Sequence, residues 1–152
     1  MGSVMQVLNG KEVKKLHEVL HEQFGITENV GAVFLQTSKD KIQISTRSLG
    51  DIDMQKLRID TLGLYFGQWM VDGFRLSIEG SQIVAKKATK NLIELTREQW
   101  ESWLHGEDME IEHDDAFVLV MYNGECYGCG KASKGKLLNY VPKARRLNVL
   151  NA

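Results

Sequence analysis

Between Phe117 and Leu150 four short apolar runs follow one another with almost nothing between them: Phe117–Tyr122, Glu125–Ala132, Lys136–Tyr140 and Leu147–Leu150. Each is of strand length. The first two are joined by Asn123-Gly124, a pair that favours the positive φ of a two-residue hairpin. The next link is Ser133-Lys134-Gly135, equally short. Closely spaced strands with tight turns leave no room for the crossover helices of a parallel sheet. They point to a small closed or nearly closed barrel. The glycines between Gly124 and Gly130 fall inside a hairpin, not between a strand and a helix, so a dinucleotide-binding loop is excluded.

One helix precedes this run. Thr96 and Gln99 form a capping box, Trp100, Trp103 and Leu104 supply the apolar stripe, and Gly106 marks the stop. A longer helix is expected from about Gly10 to Phe24, with Val13, Leu16, Leu20 and Phe24 on one stripe and Gly25 after it. Ala32–Thr37 and Lys41–Thr46 read as a hairpin. A short helix near Ile52–Leu57 and then a strand or irregular buried segment are expected before Gly73. Phe74–Ile78 alternates like a strand, Glu79-Gly80-Ser81 reads as a turn, and Gln82–Ala85 as another strand. The expectation is an α+β chain with two units: a small α/β domain over residues 1–73 and a β-barrel with one inserted helix over residues 74–152.

Composition is globular, with 43% apolar and 26% charged residues and a single proline. The formal net charge of −1 gives no global argument for a polyanionic partner. Its distribution does. Ten acidic residues and one basic residue lie between Glu94 and Glu125, whereas residues 131–152 hold six basic residues and no acidic one. A one-sign surface attracts the opposite charge even on a neutral protein. No stretch reaches the apolar length of a membrane span, the N-terminal residues do not read as a secretory signal, and two cysteines three apart do not suggest a disulfide scaffold. A reducing, cytoplasmic location is expected.

The run from Phe117 to Leu147 resembles the C-terminal half of a PUA domain. An apolar strand, a short turn, a strand ending in Gly128-Cys129-Gly130-Lys131, and a final basic strand stand in the order of that family. Trp103–Asp108 is similar to the end of the family's helix and its loop. Asn139–Arg146 resembles the ending of PUA modules in Sun-type rRNA cytosine methyltransferases. The segments Arg58–Gly67 and Arg75–Ser77 look like the small domain that precedes PUA in ribosome-biogenesis proteins. No methyltransferase domain stands in these residues, so methyl transfer is not carried over.

The resemblance implies binding of structured rRNA or tRNA, in RNA modification or ribosome biogenesis, without catalysis and without a cofactor. The residues it singles out are Arg75, Lys131, Lys134, Lys136, Asn139, Tyr140, Lys143, Arg145 and Arg146. Lysine and arginine would neutralise phosphates; Asn139 and Tyr140 would add hydrogen bonding and stacking. Gly128 and Gly130 would let the backbone approach RNA. A second reading is an adaptor subunit that docks an RNA-modifying enzyme through Leu62–Val71, with Tyr65, Phe66 and Trp69.

Two motifs point elsewhere. His17-Glu18-Val19-Leu20-His21 matches the zinc-hydrolase pattern HExxH on a helix. The apolar stripe, however, runs through Leu16, Leu20 and Phe24, which puts both histidines at its edge, and no third-ligand helix follows. Cys126 and Cys129 have knuckle spacing but no second pair, and residues three apart in a regular strand face opposite ways. No metal is expected at either. The acidic run Glu107–Asp115 lacks the calcium-loop spacing and is expected as a solvated rim facing away from RNA.

Overall fold

A computed structural model describes residues 6–37, 40–45 and 64–142 of the chain, and the structural statements below concern these. The first helix, α1, spans Gly10–Phe24. Asn9 opens it: its side chain accepts from the Glu12 N–H at 2.9 Å, and Glu12 returns the bond to the Asn9 N–H at 3.0 Å. Leu16, Leu20 and Phe24 are fully buried along one stripe. Gly25 ends the helix at φ 69°, donating to the His21 carbonyl.

Five antiparallel strands form the first sheet: β1 (Gln6–Val7), β2 (Phe34–Gln36), β3 (Lys41–Ile44), β4 (Leu64–Met70) and β5 (Gly73–Leu76), paired in chain order. The hairpin of β2 and β3 stands where the sequence places it. β4 and β5 form a second hairpin, with Trp69 opposite Phe74 and Gly67 opposite Leu76. The expected division after residue 73 falls inside this hairpin, because Gly73–Leu76 completes the first sheet.

Ile78–Ala85 is a helix, α2, and not the expected turn and strand. Ser77 caps it: its Oγ accepts from the Gly80 N–H at 2.8 Å and donates to the Tyr65 carbonyl at 2.6 Å. Gly80 is not a turn residue. A Cβ there would stand 2.1 Å from the Phe66 carbonyl oxygen, so glycine lets α2 lie directly on β4. The sequence signal, a glycine between polar residues, is the same for both roles.

The second sheet runs β6 (Leu92–Glu94), β8 (Ala116–Tyr122), β9 (Glu125–Ser133), β10 (Lys136–Leu138) and β7 (Met109–Glu110), in that spatial order. β6 is parallel to β8 and the other pairs are antiparallel. Helix α3 (Arg97–Leu104) follows β6, with the Thr96–Gln99 capping box in place. Asn123 and Gly124, at φ 51° and 82°, make the β8–β9 turn. The short strands β1, β6 and β7 leave no legible period, and β10 ends at Leu138 rather than Tyr140. The expected helix near Ile52–Leu57 and strand Leu147–Leu150 lie outside the described residues.

The architecture is α+β, three helices and two sheets among the described residues. Two cores explain how the sheets meet. One gathers α1 and the first sheet onto Phe117, Leu119, Cys126 and Cys129 of the second sheet. The other lies across the second sheet and holds Trp103, Val118, Val120, Ala132 and Leu137. β8 is therefore covered on both faces, and Phe117–Val120 are all buried, as in strands with no solvated side.

Candidate nucleic-acid interface

Where the two sheets meet, a cleft of about 130 Å³ opens to solvent, lined by Tyr65 and Arg75 of the first sheet, Ser77 and Glu79 at the start of α2, and Trp103, Tyr140 and Pro142 of the second half. The Arg75 guanidinium lies 4.6 Å from the Tyr140 ring centroid, over its face. Gln68, opposite Arg75 in the β4–β5 pair, presents its Oε1 to Tyr65 Oη at 3.4 Å and Arg75 Nη2 at 3.5 Å. One amide thus holds the phenol and the guanidinium on the same side of the sheet. Trp103 closes the floor, 1% exposed, its Nε1 donating to the Tyr127 carbonyl at 2.9 Å.

Asn139 delivers Tyr140 to this cleft. Its Nδ2 donates to the carbonyls of Trp103 and Glu107, at 2.9 and 3.1 Å, and its Oδ1 accepts from the Val141 N–H at 2.8 Å. Its backbone N–H donates to the Asp108 carboxylate. Both amide hydrogens are engaged within the protein, so Asn139 shapes the chain's exit from β10.

The lysines divide. Lys131 is 15% exposed at its side chain; its ammonium lies 2.8 Å from the Asp72 carboxylate and 4.5 Å from the Phe117 ring centroid. The hydrogen bond from Lys131 holds the Asp72 carboxyl below its ordinary range. Lys134 and Lys136 are exposed at the β9–β10 turn. Lys134 takes φ 51°, and its N–H donates to the Asp115 carboxylate at 2.8 Å. Lys143, Arg145 and Arg146 lie outside the described residues; they follow Pro142, at the cleft's lip, in sequence. Among the described residues, the structure brings Arg75 and Tyr140 together and places Lys134 and Lys136 apart from them on the turn.

The acidic run does not face away from the basic segment. Met109–Glu110 pairs with β10, which sets Glu110 opposite Lys136. Tertiary pairing, not sequence distance, puts the two charge blocks side by side. Gly128 and Gly130 are both buried. A Cβ on Gly130 would stand 2.7 Å from Leu137 and 2.9 Å from the Leu138 carbonyl, and one on Gly128 would reach Ile78 and Trp103. Gly130 is required by the close packing of β9 on β10, whereas at Gly128 the contacts are ordinary and the φ of 126° is what calls for glycine.

Of the adaptor segment, Leu62 and Gly63 lie outside the described residues; Phe66 is fully buried, Trp69 is half-buried, packing on Phe74 beneath the Lys15 ammonium, and Val71 is exposed. Tyr65 instead lines the cleft. Sequence reasoning missed Tyr65, Ser77, Glu79 and Trp103 as members of one site; the Ser77-to-Gly80 cap was the available signal.

His17 is locked by two backbone groups: Nδ1 lies 3.0 Å from the Val13 carbonyl, and Nε2 accepts from the Val30 N–H at 3.2 Å. The nitrogen that HExxH chemistry needs is occupied, while His21 is exposed. Among the described residues no group of three potential metal ligands forms. Cys126 and Cys129 share one core, against the expectation of opposite faces. Leu119 stands opposite Cys129 and Met121 opposite Cys126, so β9 carries one extra residue there, with Gly128 at φ 126°. This bulge reverses the alternation. Burial raises the Cys126 thiol and pushes Cys129 up to about 12. No helix among the described residues is long and apolar enough to cross a membrane.

Residues 90–147 match the family model described as the PUA domain of methyltransferase RsmF. Over 95 residues, 58% of this chain, the sequence is 27% identical to the ribosomal RNA small subunit methyltransferase F of Vibrio parahaemolyticus. The match spans 20% of that relative's length. The matched residues begin just before β6 and take in the whole second sheet, α3 and the basic ending. The chain thus carries, over residues 90–147, a PUA domain related to that of methyltransferase RsmF.

Proposed function

We propose that this protein binds structured RNA, ribosomal RNA in the first place, and serves rRNA modification or ribosome assembly by recognition rather than by chemistry of its own. The observation that carries the reading is the PUA domain at residues 90–147. The name of the matched methyltransferase supports ribosomal RNA over other substrates.

The contact set is Arg75 and Tyr140 at the cleft, Lys134 and Lys136 on the β9–β10 turn, and Lys143, Arg145 and Arg146 beyond Pro142. Lys131 and Asn139 act indirectly, holding the sheets and the chain exit that present the others. Phosphate neutralisation by lysine and arginine supplies most of the affinity, and shape supplies the rest.

Filter binding of the full chain to rRNA hairpins, with tRNA as the comparison, tests this across a salt series. The expected result is tighter binding to the rRNA fragments that weakens steeply with salt. Affinity that ignores salt, or that survives Lys136, Lys143, Arg145 and Arg146 all changed to Ala, overturns it. A preference for tRNA transfers the proposal to that substrate.

A further inference from the structure

We propose that the cleft between the two sheets takes one unpaired nucleobase, so that the preferred ligand is an RNA stem carrying an unstacked nucleotide beside it. This rests on the RNA-binding reading and adds a walled base site. Tyr65, Arg75 and Ser77 precede the matched residues 90–147, so the first sheet supplies half of the site.

Size selects the ligand first. About 130 Å³ is far too small for a helix, and because the cleft opens to solvent it suits one flat ring system inserted edge first with part of it left outside. The walls then select a flat, heteroaromatic group. Tyr65, Tyr140 and Trp103 line the space, and the Arg75 guanidinium already lies over the Tyr140 ring. Unpaired RNA bases are held in this way, stacked on aromatic rings or on guanidinium planes.

Charge argues against a phosphate in the same place. Glu79 lines the same cleft as Arg75, and a carboxylate repels a phosphate oxygen but accepts hydrogen bonds from a base's exocyclic amine. Arg75 offers donors for ring nitrogens and carbonyls. Gln68 orients Tyr65 and Arg75 before any ligand arrives, so little order is lost on binding. The phosphates of the attached stem remain outside the cleft.

The test uses the full chain and one RNA hairpin in three forms: blunt, with a single 3′ unpaired 2-aminopurine, and with the same base as a one-nucleotide bulge. The expected result is that at least one unpaired form binds about tenfold tighter than the blunt one, the scale of one stacked base, with its 2-aminopurine fluorescence quenched. Tyr65→Ala and Arg75→Lys bring that ratio close to one; Lys134→Ala with Lys136→Ala weakens all forms alike and keeps it. Circular dichroism checks folding. Should Tyr65→Ala unfold, Arg75→Lys decides, since it keeps the charge and loses the plane. Equal binding of all three hairpins by the wild type overturns the base site and leaves RNA binding intact. Binding of none overturns both.

Discussion

The Lys131 ammonium lies 2.8 Å from the Asp72 carboxylate and 4.5 Å from the Phe117 ring centroid, so a lysine of the second sheet is tied to the β4–β5 turn of the first. A residue expected at the RNA surface is thereby used to join the two sheets. Its charge is already compensated. Lys131→Met should therefore lower RNA affinity less than Lys136→Ala does, by filter binding at one salt concentration. An equal loss from both would put the Lys131 charge at the RNA.

The same pair sets a pH dependence. The Asp72 carboxyl is lowered from its ordinary 3.8, so its stabilisation is fully present above that value and is lost as pH falls through the lower, folded-state value. Asp72 is largely exposed, and the effect at neutral pH should stay below about 1 kcal/mol. Urea unfolding of wild type and Asp72→Asn should differ at pH 7 and converge in strong acid, below the ordinary carboxylate range. A difference that persists unchanged there would rule out this linkage.

Glycine should matter at Gly80 far more than at Gly124. Alanine at Gly80 drives its Cβ to 2.1 Å from the Phe66 carbonyl and must push α2 off β4; a loss of about 1–3 kcal/mol or more is expected. Gly124 has open space around it, and only its φ of 82° resists alanine, at a cost of about 1 kcal/mol. Thermal denaturation of the two variants compares them directly, and the reverse order would contradict the packing described for α2.

Glu110 sits opposite Lys136 in the β7–β10 pair. Neutralising it should raise RNA affinity, about two- to threefold at low ionic strength, because it removes a repulsive charge beside an exposed lysine. The gain should fade as added salt shortens the screening length. Glu110→Gln measured at two salt concentrations gives both parts, and a salt-independent gain would point to a packing change instead.

Neither cysteine should behave as a reactive thiol. Burial raises Cys126 and pushes Cys129 up to about 12, and the thiolate is the reacting form. At pH 8 a disulfide reagent should label the folded protein slowly and label both cysteines at once in denaturant. Rapid labelling of folded protein would mean that β9 opens locally.

Much of the fold was legible because it is written in local patterns. Thr96 and Gln99, Gly25, and Asn123-Gly124 each act within four residues, so a helix start, a helix stop and a hairpin turn followed from the chain alone. The strands β8 and β9 were equally plain. What misled was Gly80, where a residue required by close helix–strand contact carries the same letter as a turn, and Cys126 with Cys129, where one inserted residue in β9 reverses the faces. The short strands β1, β6 and β7 exist only because a neighbour pairs with them, and two or three residues leave no period to detect.

The sequence by itself determined the elements with their own caps and periods, the separation of acidic and basic blocks, and the PUA-like ending. Only the tertiary structure decided what those charges face. Pairing of β7 with β10 set Glu110 against Lys136, the meeting of the sheets set Asp72 against Lys131, and Arg75 came to lie on Tyr140 across 65 positions of chain. Caps and turns are interactions between near neighbours and can be read from spacing. A cleft between two sheets is made by residues that share nothing in sequence, brought together because each sheet must bury an apolar face on the other.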